Sequence, residues 1–378
     1  MADWYDTNWS NRFKVTSDNT KVAAAIKGLA IDLSLAPTEF WSNVKSDGGD
    51  IRVTQSDGTT EVARDVISID TTGEKGLLRI DSGAISTSAD TDYYVYYGNA
   101  SADEPATGST YGQYNAYDSQ IDMALESLGN TFNDRTGQRS ITDTEGTLTE
   151  VSSSLGKATE IEHPGGQQIN PVIASPFPYT SYALIQVPST LNDLHPVFAD
   201  GVTETTDYAG MSYRVMSDTH NRKVFLRHGD GGCAGSGRRD FLTSTQFPPN
   251  RWALVAVRVN SLTDVDILFE GVTQNLEIDA GGSSSSMGYG DLSGVGISQV
   301  SSCQFDYRGN TLTSFVHHVG RALSNNELLT ISNNSADNDT FWSFGEQEEV
   351  ITLTITTQAA TNISYNEATL NGEVSDLE

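Results

Sequence analysis

The stretch Arg251–Gly271 constrains the fold more than any other part of the chain. In Arg251–Val259 apolar side chains occupy both alternating faces of an extended strand, which is typical of a strand that is buried on both sides. Ser261–Asp264 supplies a turn, and Ile267–Phe269 supplies the returning strand. Because a hairpin covered on both faces needs a second sheet to pack against, the chain is predicted to contain a β-sandwich core.

A helix is predicted further along the chain, beginning at Ser324. Ser324 and Glu327 have the spacing of a capping box, and Leu328, Leu329 and Ile331 follow it as apolar positions. The Trp-bearing strand, the acidic-Gly turn and this helix together resemble concanavalin-type, laminin-G-like jelly-roll domains.

This resemblance implies a β-sandwich over roughly residues 116 to 348. It also implies that Phe341–Gly345 is the last strand of that same sandwich. The fold serves lectins, adhesion modules, enzymes and viral fibres alike, so it implies no single function.

The first 112 residues carry short apolar strands separated by Asp-Gly turns, with almost no helical period. This spacing is typical of an all-β sandwich. Three motifs here resemble an uncharacterised jelly-roll domain family of archaeal and bacterial surface proteins, which commonly precedes a concanavalin-like domain. The resemblance implies no catalytic residues. The motif residues are Trp9, Asn11, Arg12, Asp50, Ile51, Arg52, Asp57, Gly58, Tyr96, Tyr97, Gly98 and Asn99.

A linker of small residues with Pro105 and Gly108 separates two predicted domains. The boundaries are 1–112 for an N-terminal jelly-roll β-sandwich, 113–348 for a concanavalin/laminin-G-like β-sandwich and 349–378 for C-terminal strands. The last segment resembles the start of a fibronectin type III-like domain but is far shorter than the about 100 residues of an Ig-like sandwich. It is either the beginning of a longer domain or a strand segment that pairs with another subunit.

The predicted fold class is therefore all-β, with two consecutive jelly-roll or β-sandwich domains plus a short C-terminal β segment. Two parts of the second domain give a weaker pattern. Thr131–Ser153 is polar and rich in turn-forming residues, with no clear long strand. His228–Gly237 is rich in glycine and is predicted to be a long flexible loop with room for function.

The chain is strongly acidic, with 50 Asp and Glu residues, 22 Lys and Arg residues and a formal net charge of −28. Such a charge repels nucleic acid and anionic membrane surfaces, so neither is an expected partner. Only seven of the basic residues are lysines. A Lys-poor acidic surface is typical of proteins from high salt, where the Debye length falls to about 3 Å. The alternative is an ordinary acidic extracellular protein.

Catalytic motifs of the common hydrolase, nucleotide-binding and metalloprotease types are absent from the sequence. Carboxylate pairs such as Asp264 with Asp266, or Glu160 with Glu162, have the composition of a glycosidase pair. In a chain with 50 acidic residues such pairs also arise on ordinary solvated strands. The protein is predicted not to be an enzyme.

Calcium is the one cofactor that the sequence suggests, because laminin-G-like and lectin-like sandwiches often bind it through loop carboxylates. Asp200, Asp230 and Asp306 lie in suitable turns, and plain turn-forming Asp is the alternative. His317 and His318 are predicted to point to opposite faces of a strand and so cannot share one metal. Cys233 and Cys303 either form a disulfide or remain two unrelated thiols.

Several tyrosines have the chemistry to stack on sugars. The alternative for each is a place in the core or at the rim of a sandwich. These candidates are Tyr111, Tyr114, Tyr208, Tyr213, Tyr289 and Tyr307.

The sequence has neither a signal-peptide pattern at its start nor an apolar run long enough to insert into a membrane. Its domains nevertheless resemble those of adhesive surface proteins, in particular surface or virion proteins of haloarchaea and their tailed viruses. The expected function is therefore a non-enzymatic virion protein of a halophilic archaeal virus, namely a tail fibre, baseplate adhesin, or capsid turret or decoration. It would assemble in the host cytoplasm and lie on the virion surface.

Its expected partners are other virion proteins, further copies of itself in a homo-oligomer, and a host-surface glycan. The alternative is a carbohydrate-binding or adhesion module of a secreted cell-surface protein. A glycan hydrolase or lyase on a jelly roll is a third hypothesis, without a supporting motif.

Overall fold

The computed structural model describes most of the chain. The described residues are 3–162, 165–174, 176–189, 191, 195–202, 208–216, 222–232, 238–281, 287, 289, 292–299, 305–307, 311–350, 354–361 and 369–375. They are nearly all β, which confirms the predicted fold class. None of the helices among them is long and apolar enough to cross a membrane.

Seven strands form before residue 100. They are β1 (Asn11–Ser17), β2 (Leu29–Asp32), β3 (Arg52–Gln55), β4 (Glu61–Val62), β5 (Arg64–Asp70), β6 (Lys75–Ile80) and β7 (Thr91–Tyr97). A short helix α1 (Thr38–Asn43) and 3-10 turns at Asn19–Lys21 and Leu33–Leu35 lie between them.

The described residues after position 100 add 22 strands and two helices. A 3-10 turn at Gln113–Ala116 precedes them. The first group is β8 (Ile121–Ser127), β9 (Phe132–Asp134), β10 (Ser140–Glu145), β11 (Leu148–Ser153), β12 (Gly156–Ile161), β13 (Gly166–Asn170), β14 (Tyr179–Gln186), β15 (His195–Val202), β16 (Tyr208–Val215), β17 (Lys223–Gly232) and β18 (Arg238–Gln246). The second group is β19 (Ala253–Val259), β20 (Val265–Phe269), β21 (Val272–Thr273), β22 (Leu276–Gly281), β23 (Leu292–Val295), β24 (Ile297–Gln299), β25 (Phe305–Tyr307), β26 (Thr311–Val319), α2 (Asn325–Ala336), α3 (Asn338–Phe341), β27 (Trp342–Glu349), β28 (Thr354–Thr361) and β29 (Thr369–Ser375).

Two sandwiches result from the pairing of these strands. The first consists of a sheet in the order β27-β1-β7-β3-β4 and a sheet in the order β2-β6-β5. The second consists of an eight-stranded sheet, β10-β13-β23-β15-β16-β17-β18-β22, and a nine-stranded sheet. The nine-stranded sheet follows the path β11-β12-β26-β14-β19-β20-β21, with β8 on β26 and β9 on β8. β24 pairs with β25, and β28 pairs with β29.

The β19–β20 hairpin confirms the prediction from Arg251–Gly271. Leu254 and Ala256 face a hydrophobic core shared with the first sandwich, whereas Val255 and Val257 face the core inside the second sandwich. Both faces are buried because the nine-stranded sheet is the middle layer between the two cores. The turn at Gly271 has φ +77°, and a Cβ there would lie 2.7 Å from Leu329 of α2. Glycine therefore lets α2 pack directly over the hairpin.

The prediction that Phe341–Gly345 closes the second sandwich is wrong. β27 pairs instead with β1 of the first sandwich, with Ser17 opposite Trp342 and Asn11 opposite Glu349. The Trp342 indole N–H donates to the carbonyl of Ala30 at 2.7 Å. The second sandwich is thus inserted between β7 and β27 of the first. The predicted domain boundaries themselves stay a prediction.

Two weaker predictions also differ from the structure. The polar stretch Thr131–Ser153 contains three strands, β9, β10 and β11, because backbone pairing with β8, β13 and β12 outweighs its poor strand propensity. His228–Gly232, predicted as flexible loop, continues β17 and pairs with β16. Residues 233–237 lie outside the described residues. The capping box of α2 is present, with Ser324 accepting from the Glu327 N–H.

The motif residues of the first sandwich contact one another. The Arg12 guanidinium stacks over Trp4 at 4.5 Å and over Tyr94 at 4.2 Å, and it forms a 2.6 Å ion pair with Glu348 of β27. It also donates to the Tyr96 hydroxyl at 2.8 Å. These contacts give the motif a structural role in holding β1, β7 and β27 together.

Asp50 joins the other motif positions to the same framework. The Trp9 indole N–H donates to its carbonyl, and the Gly98 N–H donates to its carboxylate at 2.8 Å. Gly98 has φ +85°, and a Cβ there would lie 2.5 Å from the side chains of Ser10 and Asn11. Glycine is therefore required where β7 ends against β1.

Candidate functional site

Three buried ionisable groups lie in a sealed junction between the two sandwiches. Arg79 of the first sandwich contacts Glu126 of the second at 2.5 Å, and the His317 Nε2–H donates to Glu126 at 2.8 Å. These three side chains are at most 2% exposed. Burial lowers the pKa of His317, so its Nδ1 accepts from the Tyr182 hydroxyl at 3.0 Å. Because no solvent reaches the cluster, it fixes the sandwiches together and offers no site for a ligand.

A second ion pair completes this junction. The Arg135 Nε donates to Asp65 at 3.0 Å, and its Nη2 donates to the other carboxylate oxygen at 2.5 Å. The Tyr117 hydroxyl donates to Asp65 at 2.7 Å. Burial and the Asp65 charge raise the pKa of Tyr117 well above its ordinary value, so it stays a hydrogen-bond donor.

Asp200, the first calcium candidate, is buried inside the second sandwich. Its carboxylate accepts from the Ile173 N–H at 2.9 Å, the Ala174 N–H at 3.1 Å and the Ser293 hydroxyl at 2.7 Å. Burial raises the pKa of Asp200. Both carboxylate oxygens of Asp200 thus already accept hydrogen bonds from protein donors.

Asp230 and Asp306 lie on the backbones of β17 and β25, and their side chains are outside the described part of the structure. The calcium site that combines them with Asp200 stays a prediction. Among the described residues, no group of three or more His, Cys, Asp or Glu side chains could hold a metal ion. Cys233 and Cys303 lie outside the described residues, so their disulfide also stays a prediction.

The tyrosines proposed for sugar stacking divide into three groups. Tyr213 is fully buried in the core of the second sandwich. Tyr111, Tyr114 and Tyr289 are exposed by 41, 40 and 38%. The side chains of the remaining two, Tyr208 and Tyr307, are outside the described part. Tyr111 and Tyr114 belong to one short stretch and Tyr289 to another, and none of the three lines the junction groove defined below.

A groove of about 250 Å³, lined by polar groups together with Ile69 and Leu155, lies where the two sandwiches meet. We call it the junction groove. The first sandwich supplies one wall from the end of β2 and from β5 and β6, and the β11–β12 turn of the second sandwich supplies the other. Its polar lining residues are Asp32, Ser34, Ser68, Asp70, Lys75, Ser152, Ser153 and Lys157.

Local turns place the two carboxylates of the junction groove. Asp32 ends β2 and accepts from the Ser34 N–H at 2.9 Å, which leaves its second oxygen without a hydrogen bond to any described residue. Asp70 ends β5 and accepts the N–H groups of Thr72 and Gly73 through one oxygen, at 3.1 and 2.9 Å. The Gly73 hydrogen bond lowers the pKa of Asp70, with further lowering by Thr72, Lys157 and Lys75.

Hydrogen-bond donors stand beside these acceptors. The hydroxyls of Ser34, Ser68 and Ser152 make no hydrogen bond to any residue that the structure describes. Lys75 is exposed and has no carboxylate within ion-pair distance among those residues. The Lys157 ammonium lies 3.2 Å from the exposed carboxylate of Glu150. The junction groove therefore presents free donors and free acceptors side by side.

A second, more open cleft of about 310 Å³ lies next to α1. We call it the helix cleft. Its lining combines three hydroxyls, two carboxylates and the edge of one buried indole, from Thr38, Glu39, Trp41, Ser42, Thr71 and Glu74. Trp41 is 5% exposed and belongs to the shared core, with its ring 4.9 Å from that of Phe40.

A third cavity, of about 160 Å³, includes Lys27, Asp118 and Arg321. Its cations already have partners, since Lys27 pairs with Asp81 at 2.6 Å and Arg321 pairs with Asp118 at 2.6 Å. It offers less unused hydrogen-bonding capacity than the junction groove.

No protein-family model matches the sequence, and no curated protein matches it. Solved structures match 56% of the chain. One of them is domain 4 of AbnA, a GH43 extracellular arabinanase from Geobacillus stearothermophilus, in complex with arabinotriose. The sequence identity is 15% and the TM-score is 0.43, and the match covers 98% of that chain. The binding domain of Paraclostridial Mosquitocidal Protein 1 matches at 15% identity, a TM-score of 0.41 and 51% of its length.

The binding domain of Botulinum Neurotoxin DC, in complex with SialylT, matches at 10% identity, a TM-score of 0.39 and 50% of its length. The chain thus spans about half the length of these toxin domains. Similarity at this level carries no argument about what this chain binds, so the proposals below depend on its own residues. The resemblance to the jelly-roll surface family stays a prediction.

Sequence reasoning missed the lining of the junction groove. Its residues come from three stretches, 32–34, 68–76 and 152–157, which are far apart in the chain. Each stretch alone is an ordinary polar turn. The one available indication was that Lys75 and Lys157 are two of only seven lysines in an acidic chain.

Proposed function

We propose that this chain is a non-catalytic binding protein that holds a glycan in the junction groove. One observation carries the proposal: free hydroxyls of Ser34, Ser68 and Ser152 lie in one groove with the ammonium of Lys75 and the carboxylate of Asp70. Each sugar hydroxyl is both a donor and an acceptor, so neighbouring hydroxyls of one ring bind best where both kinds of partner alternate.

The ionised state of Asp70 supports binding over hydrolysis at this carboxylate. A glycosidase needs one carboxyl group that stays protonated near neutral pH to act as general acid. Asp70 has the opposite tendency, because the Gly73 and Thr72 amides and two lysines favour its ionised form. Its role in the proposal is to accept hydrogen bonds.

The setting that we propose is the surface of a virion of a halophilic archaeal virus, with a host-surface glycan as the bound partner. The net charge of −28 with seven lysines supports a high-salt environment. The placement on a virion depends on the family resemblance of the motifs. A cellular adhesion module on a glycan-coated surface is the alternative.

The binding test is calorimetric titration in molar KCl against malto-, cello- and xylo-oligosaccharides. We expect binding by the native chain and an affinity about three- to tenfold lower for Lys157→Ala, the equivalent of one hydrogen bond. Lys14→Ala is the matched control. Lys14 is 39% exposed with an ion pair of 3.3 Å, against 37% and 3.2 Å for Lys157, but it lies outside the groove.

A bulky variant tests the location directly. Ser152 is exposed on the groove wall, so Ser152→Phe fills the groove and should abolish binding without unfolding the protein. Binding that survives this variant, or that Lys14→Ala weakens as much as Lys157→Ala, would exclude the junction groove as the site. Release of reducing ends from any of the sugars would contradict the non-catalytic assignment.

Light scattering after size exclusion in molar salt, with and without calcium, tests the proposed setting. A discrete trimer, pentamer or hexamer is expected of a symmetric virion component. A monomer under all these conditions would favour the cellular binding module.

A further inference from the structure

Two segments of the first sandwich line both the junction groove and the helix cleft. The first is the segment 32–42, in which Asp32 and Ser34 line the groove and Thr38 and Ser42 line the cleft. The clefts therefore follow each other along one continuous piece of chain.

The second shared segment is the turn between β5 and β6. Asp70 and Lys75 face the junction groove, whereas Thr71 and Glu74 face the helix cleft. The two depressions are thus neighbours that this turn separates.

Local hydrogen bonds define the conformation of this turn. The Asp70 carboxylate accepts from the N–H groups of Thr72 and Gly73, and Glu74 adopts a left-handed conformation at φ 52°. A turn that is already ordered reduces the conformational entropy that a ligand would have to remove on binding across it.

The segment between the clefts exposes one apolar side chain. Leu35 is 38% exposed and lies in the chain between Ser34 of the junction groove and Thr38 of the helix cleft. The C–H face of a sugar ring is apolar, so an exposed aliphatic side chain on the segment that lines both depressions can bury apolar surface against a bound sugar.

The volumes also favour an extended ligand. The junction groove measures about 250 Å³ and the helix cleft about 310 Å³. Each is at or near the lower limit of roughly 300 Å³ for pockets that enclose a small-molecule ligand. Together they provide the space for several linked sugar units.

We propose that the ligand is a linear oligosaccharide of at least three units that occupies both depressions and crosses the Asp70–Lys75 turn. This inference depends on the proposed function, since it extends the glycan bound in the junction groove into the helix cleft. The junction groove holds one end of the chain and the hydroxyls and carboxylates of the helix cleft hold the other.

The test measures affinity against chain length, with malto-, cello- and xylo-oligosaccharides of two to six units in molar KCl. We expect the affinity to rise about tenfold or more between two and five units and then to level off when both depressions are filled. An affinity that does not change with length would overturn the extension while leaving glycan binding in place.

A double variant separates the two depressions. Glu39→Ala/Ser42→Ala removes two polar side chains of the helix cleft. It should lower the affinity for five- and six-unit sugars about three- to tenfold and leave the two-unit sugars within twofold. The matched control is Glu346→Ala/Ser343→Ala, which removes the same residue types from exposed positions of β27 on the other sheet of the first sandwich.

Two further outcomes complete the test. If the double variant lowers the melting temperature, Thr71→Ala on the turn is used in its place. It should likewise weaken the binding of five- and six-unit sugars and leave that of two-unit sugars nearly unchanged. Equal weakening at every length would overturn the two-depression arrangement. Failure of every sugar to bind the native chain would overturn the proposed function and this extension with it.

Discussion

At the residue scale, Glu126 is a carboxylate that joins the two sandwiches at their buried junction. It is 1% exposed and neutralises the buried Arg79 while accepting from His317. We expect Glu126→Gln to lower the free energy of unfolding by about 3–5 kcal/mol, because it leaves the Arg79 charge buried without a counter-charge. Urea denaturation in molar KCl measures this change.

The control for this variant is an exposed ion pair. Glu277 is 55% exposed and pairs with Lys223 at 3.2 Å, so Glu277→Gln should change the free energy of unfolding by less than about 0.5 kcal/mol. Equal effects of the two variants would contradict the importance of the buried network.

Two buried histidines make stability depend on pH. Burial lowers the pKa of His318 and of His228 from 6.5 to about 3. Because the pKa of each histidine is lower in the folded state, the unfolded chain takes up protons first as the pH falls. The contribution of the neutral histidines to the free energy of unfolding is therefore complete above pH 6.5 and is lost as the pH falls towards 3. At pH 5 each histidine should lower the free energy of unfolding by about 2 kcal/mol.

The variant His318→Phe checks this dependence. It keeps a ring over Tyr179, whose centroid lies 4.9 Å away, and removes the titrating group. Its free energy of unfolding should fall less between pH 7 and pH 5 than that of the native chain. Tyr179→Phe is the control, because the pKa of Tyr179 is well above 10 and the tyrosine does not titrate in this window. If the free energy of unfolding of His318→Phe falls between pH 7 and pH 5 as much as that of the native chain, His318 does not cause the pH dependence.

His317, His318 and Asp200 show which residue contacts the sequence predicts and which it does not. The opposite facing of His317 and His318 follows from strand periodicity and is confirmed, since His317 meets Glu126 while His318 stacks on Tyr179. Asp200 has the local sequence of a turn, but the Ile173 and Ala174 amides that occupy its carboxylate come from another segment. The sequence contains no information on such a long-range partner.

At the element scale, β27 makes the first sandwich depend on the far end of the chain. Trp342 is 2% exposed, Phe344 stacks on Phe13 at 5.9 Å, and Glu348 neutralises Arg12. A chain ending at residue 340 loses all three contacts. We expect it to lose the cooperative unfolding of the first sandwich, because removal of one buried Trp side chain alone costs about 3–5 kcal/mol.

A chain ending at residue 350 is the matched control for this truncation. It lacks the β28–β29 hairpin, whose described strands pair only with each other. Its melting temperature should equal that of the full chain, whereas the chain ending at 340 should melt lower and expose the first sandwich to protease. Equal melting of both truncated chains would contradict the structural role of β27.

Short apolar segments separated by Asp-Gly turns predict the all-β nature of the first sandwich, and alternation predicts the β19–β20 hairpin. The sequence pattern of β27 is equally clear, but alternation specifies a strand without specifying its neighbour. The pairing of β27 with β1 is decided by packing, since Trp342 reaches the carbonyl of Ala30. β10 and β11 are mostly polar and exposed, so their sequence lacks a clear apolar alternation, and pairing with β13 and β12 defines them as strands.

At the scale of the whole molecule, the net charge of −28 opposes the folded state through self-repulsion. Molar salt shortens the Debye length to about 3 Å and removes most of this repulsion. We therefore expect the melting temperature to rise with KCl through the molar range.

Scanning calorimetry at increasing KCl tests this expectation, with sucrose of equal osmolarity as the control for solute exclusion. A melting temperature that rises more with KCl than with sucrose supports charge screening as the cause. A melting temperature that stays flat or falls from low to molar KCl would remove the argument for a high-salt environment.

The sequence by itself determined the all-β class, the β19–β20 hairpin and the capping box of α2, because each depends on residues only a few positions apart. The tertiary structure alone decided that β27 returns to β1, that Glu126 meets Arg79, and that three distant turns meet in the junction groove. These features depend on which surfaces pack together, and a one-dimensional pattern specifies which face is buried without specifying what covers it.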